Sequence, residues 1–325
     1  MSRLACAIAA AAAAACTASP SPTTVPFRVG APGHVRVQVS ESGALRIRDV
    51  PLEDYVVVTS LSEVAPAGTP DVVERMLEVQ AIISRTYAVS HLGRHATEGF
   101  DLCATTHCQL FNPRRLESSQ WTATARTAAA STAGLVLFYA GQPAEALYHA
   151  DCGGQTSRAS SVWGGTDRQY LVSRTDTDLP AGVHAPWQYR VRREALAEAL
   201  MASPATSLGG SLQSIEIASR DESGRAMKIR IAANAARGGA LVVRAEDFRA
   251  ALARVFGAQA IRSARFDVRQ DGGWFIFAGQ GFGHGVGLCQ AGAFARIRTG
   301  AAARDVLEYY YPGTSLQRVR VAGTR

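Results

Sequence analysis

A chain of 325 residues with 47% hydrophobic content can bury a full core, which excludes a disordered or low-complexity protein. The formal net charge of +7 is carried almost wholly by arginine, with Lys228 the only lysine. The arginines are scattered, without a basic run or interleaved aromatics, which argues against nucleic acid and leaves polyanionic surfaces such as peptidoglycan or membrane open.

The N-terminus reads as an export signal. Arg3 precedes an apolar, alanine-dominated run from Leu4 to Ala15, which is too short for a span of about 20 apolar residues. Cys16 then opens a Ser/Pro/Thr-rich stretch, so residues 1–16 are expected to be a signal peptide and 17–27 a tether. Lipidation at Cys16 and simple cleavage nearby both stay open. Either outcome sends the protein to the periplasm or cell envelope. No other segment could span a membrane.

Alternation in Val35–Val39 and Leu45–Arg48 predicts a β-hairpin turning at Glu41-Ser42-Gly43. Helical spacing follows from Pro51 to Arg94, with Pro70 and Asp71 opening one helix. A second helix is expected over 120–133, and strands over Leu135–Tyr139 and Ala144–His149 around Gly141-Gln142. Residues 185–201 read as a helix. Strands are expected over 213–218, 226–232 and 241–244, then a helix over 247–256 and a final hairpin, Phe266–Arg269 with Trp274–Phe277. Strands and helices mix without regular βα alternation, which predicts an α+β fold.

The densest feature is Gly279 to Ala293, with six glycines around His284 and Gln290. An apolar strand leads in and a helix-like stretch leads out, so the glycines belong to a functional strand-to-helix turn or a tight structural one. The dinucleotide and P-loop fingerprints do not fit this spacing. Glu63 lies among apolar residues at an expected strand-to-helix junction, where desolvation would raise its pKa toward that of a general acid; a capping glutamate is the alternative. Arg85 sits on an apolar helix face and must be paired, reach a cleft, or keep its head in water. His91, His95, Cys103, His107 and Cys108 crowd together, leaving a zinc site and a Cys103–Cys108 disulfide as equal readings. His149 and Asp151 could pass as an acid/base pair, but no nucleophile elbow and no His-Glu-x-x-His helix is present. Cys152 and Cys289 each sit in a glycine turn and are expected to be neighbours in space, close enough for a disulfide; two unrelated buried thiols are the alternative.

In order along the chain, Leu52-Glu53-Asp54-Tyr55-Val56, Ser62-Glu63-Val64, Glu78–Ala88, Thr106-His107-Cys108-Gln109, Tyr148-His149 with Cys152-Gly153-Gly154, Gly283–Ala293 and Tyr310–Thr314 resemble the SpoIID/LytB family, the stage II sporulation protein D and amidase-enhancer group. The resemblance covers about residues 30 to 320 and makes 28–325 one SpoIID/LytB-like domain, its helices and antiparallel strands arranged around a glycan-binding groove. It implies a peptidoglycan lytic transglycosylase that cleaves the MurNAc–GlcNAc bond to 1,6-anhydro products, preferring strands without stem peptides. Glu63 would be its single general acid/base, and Arg85, Tyr148, His284 and Gln290 would hold sugar. No cofactor is needed for catalysis. A structural zinc is implied at Cys103, His107 and Cys108, with His95. The alternative is a non-catalytic glycan-binding module that recruits or stimulates a cell-wall amidase. Nothing in these residues points to sporulation itself.

Overall fold

A computed structural model describes residues 32–176, 183–207, 209–234 and 239–320. The export signal, Cys16 and the 17–27 tether lie outside the described residues. The chain opens with an antiparallel hairpin, β1 (His34–Glu41) and β2 (Ala44–Pro51), followed by α1 (Leu52–Glu63) and α2 (Pro70–Ser90). A 3-10 turn and β3 (Leu102–Cys103), parallel to β1, precede α3 (Arg115–Ser118) and α4 (Thr122–Ser131). Next come β4 (Leu135–Tyr139), β5 (Gln142–Pro143), β6 (Tyr148–His149) and α5 (Ala159–Trp163).

The segment that follows alternates strands and helices: β7 (Pro186–Arg192), α6 (Arg193–Met201), β8 (Ser211–Arg220), β9 (Ala226–Asn234), β10 (Gly239–Arg244), α7 (Ala245–Phe256), β11 (Phe266–Asp271) and β12 (Trp274–Gln280). The chain then returns through β13 (Leu288–Cys289), α8 (Gln290–Arg298), α9 (Ala303–Tyr310) and β14 (Ser315–Arg318). This mixture of helices with antiparallel sheets is α+β, as the patterning indicated.

Three apolar clusters organise these elements. α2 is the central post, buried along most of its length because Val73, Leu77, Ala81 and Ala88 face one cluster while Met76, Val79 and Ile83 face another. Pro70 at the first helical position starts it without losing a useful N–H. The segment from β7 to β12 packs a cluster of its own from Trp187, Phe248, Phe266, Phe275 and Phe277, between α6, α7 and two three-stranded sheets. It is thus a lobe inserted between β6 and β13, which pair with each other in parallel across it.

Three local expectations need correction. The helix over 185–201 begins only at Arg193, because Trp187 and Val191 alternate with exposed positions and β7 pairs with β12. Of the strand expected over Ala144–His149 only Tyr148–His149 forms; β4 takes β5 and β14 as partners instead. The expected hairpin over Phe266–Arg269 and Trp274–Phe277 forms as β11–β12, and β13 and β14 follow it, paired with β6 and β4. Glu63 ends α1 and does not join a strand to a helix.

The return to β13 depends on glycine. Gly287 has φ +71°, and a Cβ there would lie 2.0 Å from the Leu147 carbonyl oxygen. That oxygen already accepts Leu288 N–H at 3.0 Å and the Tyr311 hydroxyl at 2.7 Å. Gly287→Ala is expected to cost more than about 2 kcal/mol, since left-handed backbone alone costs about 1–2 kcal/mol. A urea melt with an unchanged midpoint would contradict this.

Candidate functional site

Glu63 stands at the C-terminal end of α1, where the helix dipole disfavours a negative charge. The segment after β3 wraps this end: Arg115 donates to the Leu61 carbonyl at 2.9 Å and the Asn112 N–H to Ser62 Oγ at 3.0 Å. In the same wrap the Leu110 N–H donates to Glu63 Oε1 at 2.5 Å. Burial is the dominant influence and raises the Glu63 pKa, with the Leu110 N–H and the Tyr148 side chain pulling the other way. No second carboxylate is among the groups that shift it.

Tyr148 is delivered to Glu63 by an ordered relay. Tyr55 donates to Gln109 Oε1 at 2.9 Å, so the Gln109 amide nitrogen faces Tyr148 and donates to its hydroxyl at 3.0 Å. The phenolic proton is then free for the Glu63 carboxyl, and burial followed by the Glu63 charge pushes the Tyr148 pKa far up. The phenol therefore stays protonated. Nothing in the sequence marks a role for Gln109, Tyr55 or the Leu110 backbone, although Tyr55 and Gln109 stand in the motif segments.

The glycine loop meets this site from the other side. His284 Nδ1 accepts the Val286 N–H at 3.1 Å, so its Nε2 carries the proton and donates to the Tyr148 carbonyl at 2.9 Å. Burial lowers the His284 pKa to about 4, so the ring is neutral near pH 7. Its ring lies 5.0 Å from that of Trp163, which is 39% exposed. Gln290 donates to Gln80 Oε1 at 3.1 Å and to the Glu63 carbonyl at 3.4 Å. Gln290 is buried, so it fixes α8 against α2 and the end of α1 and has little surface to offer a ligand. Trp163 carried no signal in the sequence, because an aromatic in a five-residue helix has no periodicity to mark it.

Arg85 is not at the surface. It is fully buried, forks onto both Glu53 oxygens at 2.9 and 2.6 Å, and donates to the Leu135 and Ala129 carbonyls at 3.3 Å each. The expectation that it holds sugar is corrected: an apolar helix face was covered by packing, and pairing satisfied the charge.

His95, Cys103, His107 and Cys108 converge, with one ligand atom from each all within 4.8 Å of one another. Cys108 Sγ lies 3.4 Å from His95 Nε2 and 3.6 Å from His107 Nδ1, and Cys103 Sγ lies 3.6 Å from His107 Nδ1. Bonds of about 2.0–2.3 Å in a tetrahedron place neighbouring ligands roughly 3.5 Å apart, so the set fits a zinc ion. Glu98 meets His95 Nδ1 at 2.6 Å and turns Nε2 toward the sulfurs, an orienting role common beside metals. Both thiols are free, so no Cys103–Cys108 disulfide forms. His91 stands apart, stacked on Tyr87.

Cys152 and Cys289 are neighbours, as expected, but both are free thiols: the Cys152 N–H donates to Cys289 Sγ at 3.1 Å. Asp151 pairs with His184, not with His149. Among the described residues no helix is long and apolar enough to cross a membrane.

Two family models match the chain: one described as a stage II sporulation protein over residues 40–139, and a domain of unknown function over 184–287, the inserted lobe. Over 298 residues the chain is 26% identical to stage II sporulation protein D of Bacillus subtilis, covering 87% of this chain and 79% of that one. It is 28% identical over 271 residues to an uncharacterised protein of Brachyspira hyodysenteriae, covering 83% and 67%. The amidase enhancer of B. subtilis is 25% identical over 279 residues, which are 74% of this chain but only 37% of that protein.

Proposed function

Because the chain belongs to the SpoIID/LytB family, we propose that it is an exported lytic transglycosylase acting on peptidoglycan glycan strands. One observation carries the reading: the Glu63 pKa is raised by burial with no other carboxylate among the described groups that shift it, and the carboxyl is held by the Leu110 N–H and faced by a phenol. Ordinary glycosidases need two carboxylates. A single one suffices if the substrate supplies the nucleophile.

Protonated Glu63 gives its proton to the oxygen bridging N-acetylmuramic acid and N-acetylglucosamine, and that C1–O bond breaks. The carboxylate then takes the proton of the muramoyl C6 hydroxyl as O6 bonds to C1. The products are a 1,6-anhydro-muramoyl end and a free hydroxyl on the leaving sugar, with no water consumed. Such acid/base work contributes about 10²–10⁴-fold, and positioning supplies much of the rest. Tyr148 tunes and orients the acid. Trp163 offers an exposed ring for a pyranose face, and neutral His284 holds that ring beside Tyr148.

The Cys103, His107, Cys108 and His95 cluster would hold a structural zinc. Its position supports the chemistry, because Gln109 and Leu110, the two residues after Cys108, are those that touch Tyr148 and Glu63. Cys108→Ser is expected to lose that zinc, lower the melting temperature and slow cleavage together. Metal content unchanged by the substitution would contradict the assignment.

Tyr148→Phe removes a donor that holds the Glu63 pKa down. A general acid works only while protonated, so the basic limb of the pH–rate profile should move to higher pH. A limb that stays in place would show that Tyr148 does not tune the acid.

The amidase-enhancer relative favours a second reading, a glycan-binding module that stimulates a cell-wall amidase. Incubating the protein alone with strands stripped of stem peptides separates the two. Soluble fragments, released faster than from peptide-bearing strands, support the transglycosylase. Binding without fragments, with faster peptide release by an added amidase, supports the module.

A further inference from the structure

We propose that Cys152, Cys289, His184 and Asp151 form a second metal site, for a divalent ion of zinc type, separate from the Cys103 cluster and independent of the reading of Glu63. One ligand atom from each of the four lies within 4.8 Å of the others. Two sulfurs and an imidazole are a donor set that selects zinc over the hard, oxygen-seeking cations.

The site is built around the sulfurs. Both cysteines are fully buried. Cys289 Sγ accepts the Cys152 N–H at 3.1 Å and the Gly292 N–H at 3.3 Å, and it stands at the N-terminal end of α8, whose dipole favours an anion. Cys152 Sγ accepts the Gly154 N–H at 3.3 Å. Three backbone donors aim at the two sulfurs, and the Cys152 thiol gives its own proton to Asp176 Oδ2 at 3.3 Å, a carboxylate already paired with Arg296; that thiol proton is one an ion would displace.

Arg225 gives a second, independent sign. It is 1% exposed, and its guanidinium donates to the Cys152 carbonyl at 2.5 Å and the Gln155 carbonyl at 2.7 Å. Among the described residues no carboxylate forms an ion pair with it. Gly285 makes room for it, since a Cβ there would stand 2.4 Å from the guanidinium carbon. A buried guanidinium without a counter-ion is costly. With two thiolates, ionised Asp151, the divalent ion and Arg225, and with the adjacent Asp176–Arg296 pair neutral in itself, the formal charges of the site cancel.

The imidazole repeats the layout of the first cluster. His184 Nδ1 meets Asp151 Oδ1 at 2.5 Å, leaving Nε2 facing Cys152 Sγ at 4.0 Å, as Glu98 leaves the Nε2 of His95 facing Cys108. Asp151 thus either orients His184 or completes the shell with its second oxygen. Binding displaces the two thiol protons and leaves the sulfurs at the same oxidation state. A disulfide would instead require an external oxidant to take two electrons.

The test is zinc content of the purified full chain by elemental mass spectrometry, together with peptide mapping of alkylated thiols under non-reducing conditions. Cys152→Ser and His184→Ala should each lower zinc content by one ion per chain. The ion that Cys108→Ser removes should be unaffected by them. After chelation and denaturation, Cys152 and Cys289 should both alkylate. His184→Ala stands in if Cys152→Ser fails to fold, because His184 lies at the edge of the cluster. Zinc content unmoved by His184→Ala and Cys152→Ser, or a Cys152–Cys289 disulfide peptide in the freshly isolated protein, would overturn the proposal.

Discussion

Replacing Glu63 with glutamine is expected to abolish glycan cleavage while leaving the fold and glycan binding in place. The amide oxygen can still accept the Leu110 N–H, so the wrap around the end of α1 survives. What disappears is the proton that protonates the bridging oxygen, and with it the base for the C6 hydroxyl. The loss should be at least about 10²–10⁴-fold, the usual worth of acid/base catalysis. The same variant carries a pH signature in its stability. Burial raises the Glu63 pKa above its reference of 4.5, so the folded state bears no penalty where the group is protonated in both states. The penalty grows as pH rises from that reference through the raised value. Glu63→Gln should therefore be more stable than the wild type near pH 7 and no more stable below pH 4.5. Equal melting midpoints at both pH values would show that the carboxyl is not buried as described. Retained turnover would remove Glu63 from the chemistry.

Arg85→Met should be strongly destabilising, at about 3–5 kcal/mol, because it breaks the pair that ties α2 to α1. The substitution keeps the stem's apolar contacts but strands Glu53, which is 31% exposed and so partly rescued by water. It also leaves the Leu135 and Ala129 carbonyls without their donor. Urea unfolding should give a lower midpoint at unchanged slope. Glycan affinity measured below the unfolding transition should not move. A stable variant that bound glycan weakly would reverse the outcome and return Arg85 to the sugar.

These two residues also show what the sequence made legible. An acid among apolar neighbours made Glu63 a candidate but left a capping role open, and only the ordered set of family-like segments, with Ser62-Glu63-Val64 among them, singled it out. Arg85 looked the same, a charge on an apolar face, but its partner Glu53 stands 32 positions away, and sequence spacing does not reveal a pairing across two helices. The helices and hairpins with clear periodicity, such as β1–β2 and α2, came out close to expectation. The strand β7 was misread because Pro186–Met201 carries a strand joined to a helix without a turn residue between them. The relay from Tyr55 through Gln109 to Tyr148 was invisible for a different reason: neutral hydrogen-bonding side chains acquire meaning only when tertiary contacts remove the water around them.

The most direct test of the central claim is the mass of the new ends made by the wild-type protein on stripped glycan strands. Intramolecular capture by the C6 hydroxyl predicts anhydro-muramoyl ends, lighter by one water than the hydrolytic product and without a reducing end. Hydrated, reducing muramoyl ends would contradict the single-carboxylate mechanism and require a second group that activates water.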